Sequence, residues 1–98
     1  MTAYYPVYLN LTGKRCVVIG GGPIAEDKVA KLQDAHAEVI LISPTVTPAL
    51  KAWAYAGDFE WHQREYQPDD LDGAFLGIAS TNNREVNQEI FQEAERLA

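Results

Sequence analysis

Residues 16–25 read Cys16-Val17-Val18-Ile19-Gly20-Gly21-Gly22-Pro23-Ile24-Ala25. A continuous apolar run closed off by glycine reads as a parallel strand buried on both faces, because neither face alternates with polar residues. Past the three glycines the period changes. Ala25, Val29 and Leu32 recur at i, i+4 and i+7, with Asp27, Lys28, Lys31 and Gln33 on the other side, which predicts an amphipathic helix. Pro23 suits the first turn of that helix, where its fixed φ is already helical and its missing N–H has no intrahelical partner to lose. The junction therefore places a glycine-rich turn at a helix N-terminus, where unbonded N–H groups and the positive end of the helix dipole favour an anion.

Working outward, the helix is expected to end near Ala35, with His36 in the left-handed position that glycine more often fills. Residues 39–42 read as a second buried strand, stopped by Pro44. Thr47 followed by Pro48 makes an N-cap and first helical position, opening a helix through Leu50, Trp53 and Ala54 to Gly57. Residues 59–64 read as a third, shorter strand. Pro68, Asp69, Asp70, Asp72 and Gly73 make a turn-rich connection, and residues 74–79 a fourth apolar strand. Asn82 and Glu85 have capping-box spacing, with Asn in place of the usual Ser or Thr, and Val86, Ile90, Ala94 and Leu97 continue as a helical stripe. Ahead of the first strand, an aromatic opening (Tyr4, Tyr5, Pro6, Val7, Tyr8) leads through residues 9–11 into a turn at Thr12 and Gly13. Strands alternating with helices in this order predict an α/β fold: Rossmann-like and doubly wound, a mainly parallel sheet with helices on both faces. The chain stops inside or just after a helix, where such a fold would next supply a strand, so the sheet is expected to be incomplete at the C-terminus. Residues 1–98 are read as one domain, the front part of a longer protein.

Composition bounds the function. At 98 residues there is room for one core, and 47% hydrophobic with 22% charged residues is globular rather than disordered composition. Eight Lys and Arg against fourteen Asp and Glu give a net charge of −6, which disfavours a nucleic-acid partner; an anionic ligand has to be held locally instead. The N-terminal residues lack a basic start, and no segment approaches the roughly 18 apolar residues of a membrane span. Cys16 is alone and sits in a strand interior, where it reads as a small buried hydrophobe in a reducing, cytoplasmic protein.

Gly20, Gly22 and Ala25 match the G-x-G-x-x-G/A dinucleotide fingerprint in its required context of strand, turn and helix. The first glycine allows the tight turn, the second lets backbone approach a pyrophosphate, and Ala25 lets helix pack closely on strand. An acid is expected about 20 residues on to bond the ribose hydroxyls. The second strand ends instead in Ser43, Pro44 and Thr45. No Arg or Lys stands there to hold a 2′-phosphate either, which leans toward NAD over NADP. No metal site is expected: His36 and His62 have no ligand partners at metal spacing, and Asp69, Asp70 and Asp72 read as solvated turn residues. Trp53 and Trp61 are expected to pack on the sheet.

Three stretches then carry a family likeness. Tyr5-Pro6-Val7-Tyr8-Leu9-Asn10-Leu11, the run Val17-Val18-Ile19-Gly20-Gly21-Gly22-Pro23-Ile24-Ala25 with Lys28-Val29, and Leu71-Asp72-Gly73-Ala74-Phe75-Leu76 followed by Ile78-Ala79-Ser80-Thr81 resemble the N-terminal domain of siroheme synthase; Glu85-Val86-Asn87 fits the same family. The resemblance spans essentially the whole chain. It implies an NAD-dependent precorrin-2 dehydrogenase, which makes sirohydrochlorin on the way to siroheme and in some members is also a ferrochelatase. It further implies a tetrapyrrole substrate, a homodimeric full-length protein, and cofactor contacts at Pro23, Ile24, Pro44 and Thr45. With Gly20, Gly22, Ala25 and Thr81 these make the candidate NAD site. In that family a triple glycine is joined to a non-acidic end of the second strand, which accounts for the missing acid.

Two departures matter. The family commonly has a Thr-Asp pair after the fourth strand, where this chain reads Thr81-Asn82-Asn83. Its catalytic aspartate lies on a following strand, beyond Ala98, so no catalytic residue is assigned within the chain and the 98 residues alone are expected to be inactive. Asp72 is expected before the fourth strand, away from the cofactor, and Glu85 in the cap of its own helix. Two alternatives stay open from the residues: a dinucleotide-sensing module without catalysis, and a half-domain that completes its sheet only with another chain.

Overall fold

The computed structural model describes residues 7–97, the side chains of Ala94 and Leu97 excepted. Tyr4, Tyr5 and Pro6 of the aromatic opening, and the last residues of the helical stripe as side chains, lie outside what it describes. Eight elements follow in order: β1 Arg15–Ile19, α1 Pro23–Asp34, β2 Glu38–Ile42, α2 Pro48–Tyr55, β3 Glu60–His62, a 3₁₀ turn Pro68–Leu71, β4 Leu76–Ala79 and α3 Arg84–Leu97. The strands lie in the order β3-β2-β1-β4, every neighbouring pair parallel, with Val17 opposite Ile40 on one side and Gly77 on the other.

Because successive side chains on a strand point to opposite faces, the apolar runs of β1 and β2 supply two cores at once. Cys16, Val18, Val39 and Leu41 meet Ala25, Val29 and Leu32 of α1 and Leu50 of α2. Val17, Ile19, Ile40 and Ile42 face the other way, toward Leu71 and Ile90, with Tyr66 and Val86 at the margin. Each fully buried side chain of this size stabilises the fold by about 1.5–3 kcal/mol. Trp53 and Trp61 pack on the first core. His36 sits at φ +60°, ending α1 as the sequence predicts. No helix among the described residues is long and apolar enough to cross a membrane.

Four expectations are corrected. The third strand spans Glu60–His62 rather than 59–64: it pairs with β2 alone, Phe59 turns into the core, and Arg64 N–H folds back onto the His62 carbonyl at 2.9 Å. The fourth begins at Leu76 rather than 74, because Ala74 N–H is spent closing the 3₁₀ turn onto Leu71 O. Asp70 is not a solvated turn residue. Its carboxylate takes two hydrogen bonds from Arg64, at 2.7 and 2.8 Å, and one from Gln67 N–H at 2.6 Å. Finally, α3 is capped by Asn83 rather than Asn82: Asn83 Oδ1 accepts from Glu85 N–H and Val86 N–H, which leaves Glu85 exposed in the first turn with its carboxylate outside the cap.

Candidate functional site

In a parallel sheet the carboxyl ends of all strands point the same way, and the loops leaving them gather at one end. Here the turn after β1, the 43–47 loop after β2 and the turn after β4 converge. The ladder continues past the strands to make this happen: Gly20 N–H donates to Ile42 O at 3.0 Å, and Ser80 N–H to Ile19 O at 2.8 Å.

The three glycines do three different things. Gly20 holds φ +126°, which side chains rarely adopt, and a Cβ there would stand 2.5 Å from the Ser80 carbonyl oxygen. A Cβ on Gly21 would fall onto the Thr45 carbonyl; the Gly21 carbonyl itself accepts from Thr47 N–H at 2.9 Å. Gly20 and Gly21 are thus required by packing against β4 and the β2–α2 loop. Gly22 is different. It is the N-cap of α1 in extended backbone, φ −89° and ψ −169°, with no side chain over the helix end and nothing within 4 Å of a Cβ built there. The first intrahelical bond is Glu26 N–H to Gly22 O at 3.0 Å. The Gly22, Ile24 and Ala25 N–H groups donate to no other described residue, so three unbonded donors gather at the positive end of the dipole, and the space in front of Gly22 is open.

The remaining candidate residues lie on the three loops around this turn. Pro23 and Ile24 are exposed, Ile24 by 62%, on the first turn of α1. Ala25 is fully buried: its methyl packs against the sheet, and its N–H lies inside the first turn of α1, behind those of Gly22 and Ile24. Pro44 and Thr45 are exposed, and the Thr45 carbonyl sits against Gly21. Thr81 lies beside Gly20, but its hydroxyl is turned into α3, donating to Asn87 Oδ1 at 2.5 Å.

Two residues that hold this end were not among the candidates. Ser43 Oγ donates to the Thr45 carbonyl at 2.6 Å, and the Trp61 indole N–H donates to the Ser43 carbonyl at 2.9 Å, so the β2–α2 loop is braced from below. A serine directly after a buried strand was the available signal. Ser80 Oγ is buried with no partner among the described residues.

Elsewhere the chemistry is quiet. Burial pushes the Cys16 thiol up, so it stays protonated inside β1. Burial also raises the Asp70 carboxyl, but the hydrogen bonds from Arg64 and Gln67 outweigh that and hold it below the ordinary carboxylate value. Asp72 lies ahead of β4, at the sheet end remote from the glycine turn. Carboxylate oxygens of Asp69, Asp72 and Glu93 come within 4.8 Å of one another, with Arg96 bonded to Glu93.

Compared with known proteins, residues 7–98 match the family described as "Putative NAD(P)-binding". The siroheme synthase of Photorhabdus laumondii is 38% identical over 93 residues, 95% of this chain and 20% of that one. Siroheme synthase 1 of Aeromonas salmonicida is 38% identical over 91 residues, 93% of this chain and 19% of that one. Among solved structures, SirC, a precorrin-2 dehydrogenase, superposes with a TM-score of 0.85 at 27% identity, over 90% of this chain and 44% of that one. The chain thus spans about a fifth of the length of these siroheme synthases and under half of SirC.

Proposed function

The chain belongs to this NAD(P)-binding family, and from that premise we propose that it is the cofactor-holding part of a precorrin-2 dehydrogenase in siroheme biosynthesis. The observation that carries the reading is the division of labour in the triple glycine. Two glycines are filled up to the backbone by neighbouring loops, and the third is left open at a helix N-terminus whose first N–H groups are unbonded. A glycine turn made only for tight packing would have no reason to leave Gly22 uncovered.

A dinucleotide fits the residues present. The Gly22, Ile24 and Ala25 N–H groups would hold the pyrophosphate, with Pro23, Ile24, Pro44, Thr45 and Thr81 lining the crevice on either side. NAD, when bound, supplies the hydride acceptor. The chain orients it: Ser43 and Trp61 fix the β2–α2 loop, and Ile24 offers an exposed apolar side chain beside the turn. NAD rather than NADP is favoured because the loop after β2 carries no cation, and Arg64, beyond β3, is already bonded to Asp70. The tetrapyrrole substrate, a homodimeric whole protein and a cytoplasmic setting belong to the same reading, as does an acid/base group supplied from outside these residues.

The test is anaerobic NADH formation from precorrin-2. A chimera in which this chain replaces the matching 93 residues of the P. laumondii siroheme synthase is expected to form NADH, and the chain alone to form none. No turnover by a folded chimera, under conditions where the parent enzyme works, would overturn the assignment. Turnover by the chain alone at a comparable rate would place the acid/base group within it, since losing such a group typically costs a factor of about 100 to 10,000.

A further inference from the structure

Resting on the cofactor reading above, we infer that Asn87 of α3 is a positioning residue for the dinucleotide site, acting through Thr81. The two side chains are joined twice. Thr81 Oγ1 donates to Asn87 Oδ1 at 2.5 Å, and Asn87 Nδ2 donates back to the Thr81 carbonyl oxygen at 3.1 Å. The same Thr81 hydroxyl accepts from Asn83 N–H at 3.2 Å. A hydroxyl has one proton to give; two acceptors stand within reach of it, the Asn83 carbonyl at 3.0 Å and Asn87 Oδ1 at 2.5 Å, and the closer one, Asn87, turns the Thr81 side chain toward α3. What Thr81 presents to the glycine turn is backbone. Its nitrogen stands 3.1 Å from the place a Cβ on Gly20 would occupy, and its N–H donates to no described residue.

Helix capping does not explain Asn87. The N-terminus of α3 is capped by Asn83, whose Oδ1 takes the Glu85 and Val86 N–H groups, while both ends of the Asn87 amide reach back across the turn to Thr81. An amide suits this task because it offers an acceptor and a donor side by side: leucine offers neither, and a carboxylate would set a second acceptor against the Thr81 carbonyl. Asn87 therefore fixes the orientation of the Thr81 peptide beside the glycine turn. Thr81 contributes to the site through its main chain, with its hydroxyl serving as the tether.

The experiment compares Asn87→Leu, Thr81→Val, the double variant and Ile90→Val, a buried position on the same helix away from the turn. NAD affinity is read by calorimetry at a temperature where all are folded, and hydrogen exchange of the Asn83 amide is read without NAD. Asn87→Leu and Thr81→Val are each expected to weaken NAD binding about tenfold and to speed Asn83 exchange. The double variant is expected to be no worse than either single one, as for two members of one interaction. Thr81→Ser, which keeps the hydroxyl, is expected to recover most of what Thr81→Val loses. Ile90→Val is expected to lower Tm while moving neither readout, which a merely structural role for Asn87 would not allow. NAD affinity kept in Asn87→Leu but lost in Thr81→Val would show that the hydroxyl touches the ligand itself, and would overturn the inference. So would additive losses. Wild-type chain that binds no NAD would remove the cofactor reading and this inference together; NAD bound equally by wild type and every variant would remove this inference alone.

Discussion

Replacing Gly22 by aspartate is expected to make the fold more stable and the site useless. Gly22 is the N-cap of α1, its backbone is in the extended region that capping residues adopt, and a Cβ meets nothing within 4 Å. An aspartate there accepts a hydrogen bond from Ile24 or Ala25 N–H, the second and third helical positions, both otherwise unbonded. Aspartate over glycine at an N-cap is worth a few tenths of a kcal/mol, and a negative charge at the dipole's positive end about 0.3–1 kcal/mol more. A gain of roughly 0.5–1 kcal/mol raises Tm by about 2–8 °C in a domain of this size. The same carboxylate occupies the donors meant for the pyrophosphate and repels it. One unit charge about 4 Å from another at an effective dielectric constant of about 20 costs roughly 4 kcal/mol, or about a thousandfold in Kd. The assay pairs thermal melts without ligand with calorimetric titration of NAD. Gly57→Ala serves as control, because Gly57 has φ +86° and open surroundings, so its substitution strains the backbone by about 1–2 kcal/mol without approaching the site. Unaltered NAD affinity in folded Gly22→Asp would refute the reasoning, and a lowered Tm would refute the cap geometry on which it rests.

Asp70→Asn is expected to lower stability at neutral pH by about 1–3 kcal/mol, because it strips the charge-assisted bonds from Arg64. The Asp70 carboxyl is held below its ordinary value, so its contribution is complete above that value and disappears as pH falls through the lower folded-state value. Melts across acid pH should show wild type and variant converging, and a constant gap would contradict the pairing. Leu50→Ala, at a fully buried position between α2 and the sheet, is expected to cost about 2–5 kcal/mol in urea denaturation, against which a loss well under 1 kcal/mol would argue for a soft core. Cys16, buried and with its thiol pushed up, should react with a thiol reagent no faster than the chain unfolds; prompt labelling of native protein would place it elsewhere.

What the sequence discloses follows from how local each feature is. β1, α1 and β2 are legible because their apolar runs and period changes lie within a few residues, and Thr47-Pro48 announces α2 in the same way. The edge strands are overestimated because composition does not record that β3 has one neighbour, or that Ala74 N–H is taken by the turn before β4. Asp70 reads as one acid among three until Arg64, six residues earlier, folds back onto it. The fingerprint identifies Gly20 and Gly22 as special, yet only the approach of Ser80 and Thr45 separates glycines that packing demands from the one left open. Asn87 escapes notice for the same reason: its partner depends on the angle at which α3 leaves β4.

An amide chemical-shift map of the chain during NAD titration reads directly where the cofactor sits. Gly22, Ile24 and Ala25 are expected to move most, followed by Thr45 and Thr81 on the neighbouring loops. Unmoved turn amides, with the shifts instead gathered around the shallow depression lined by Gln33, His36, Ala37 and Asp58, would contradict that placement.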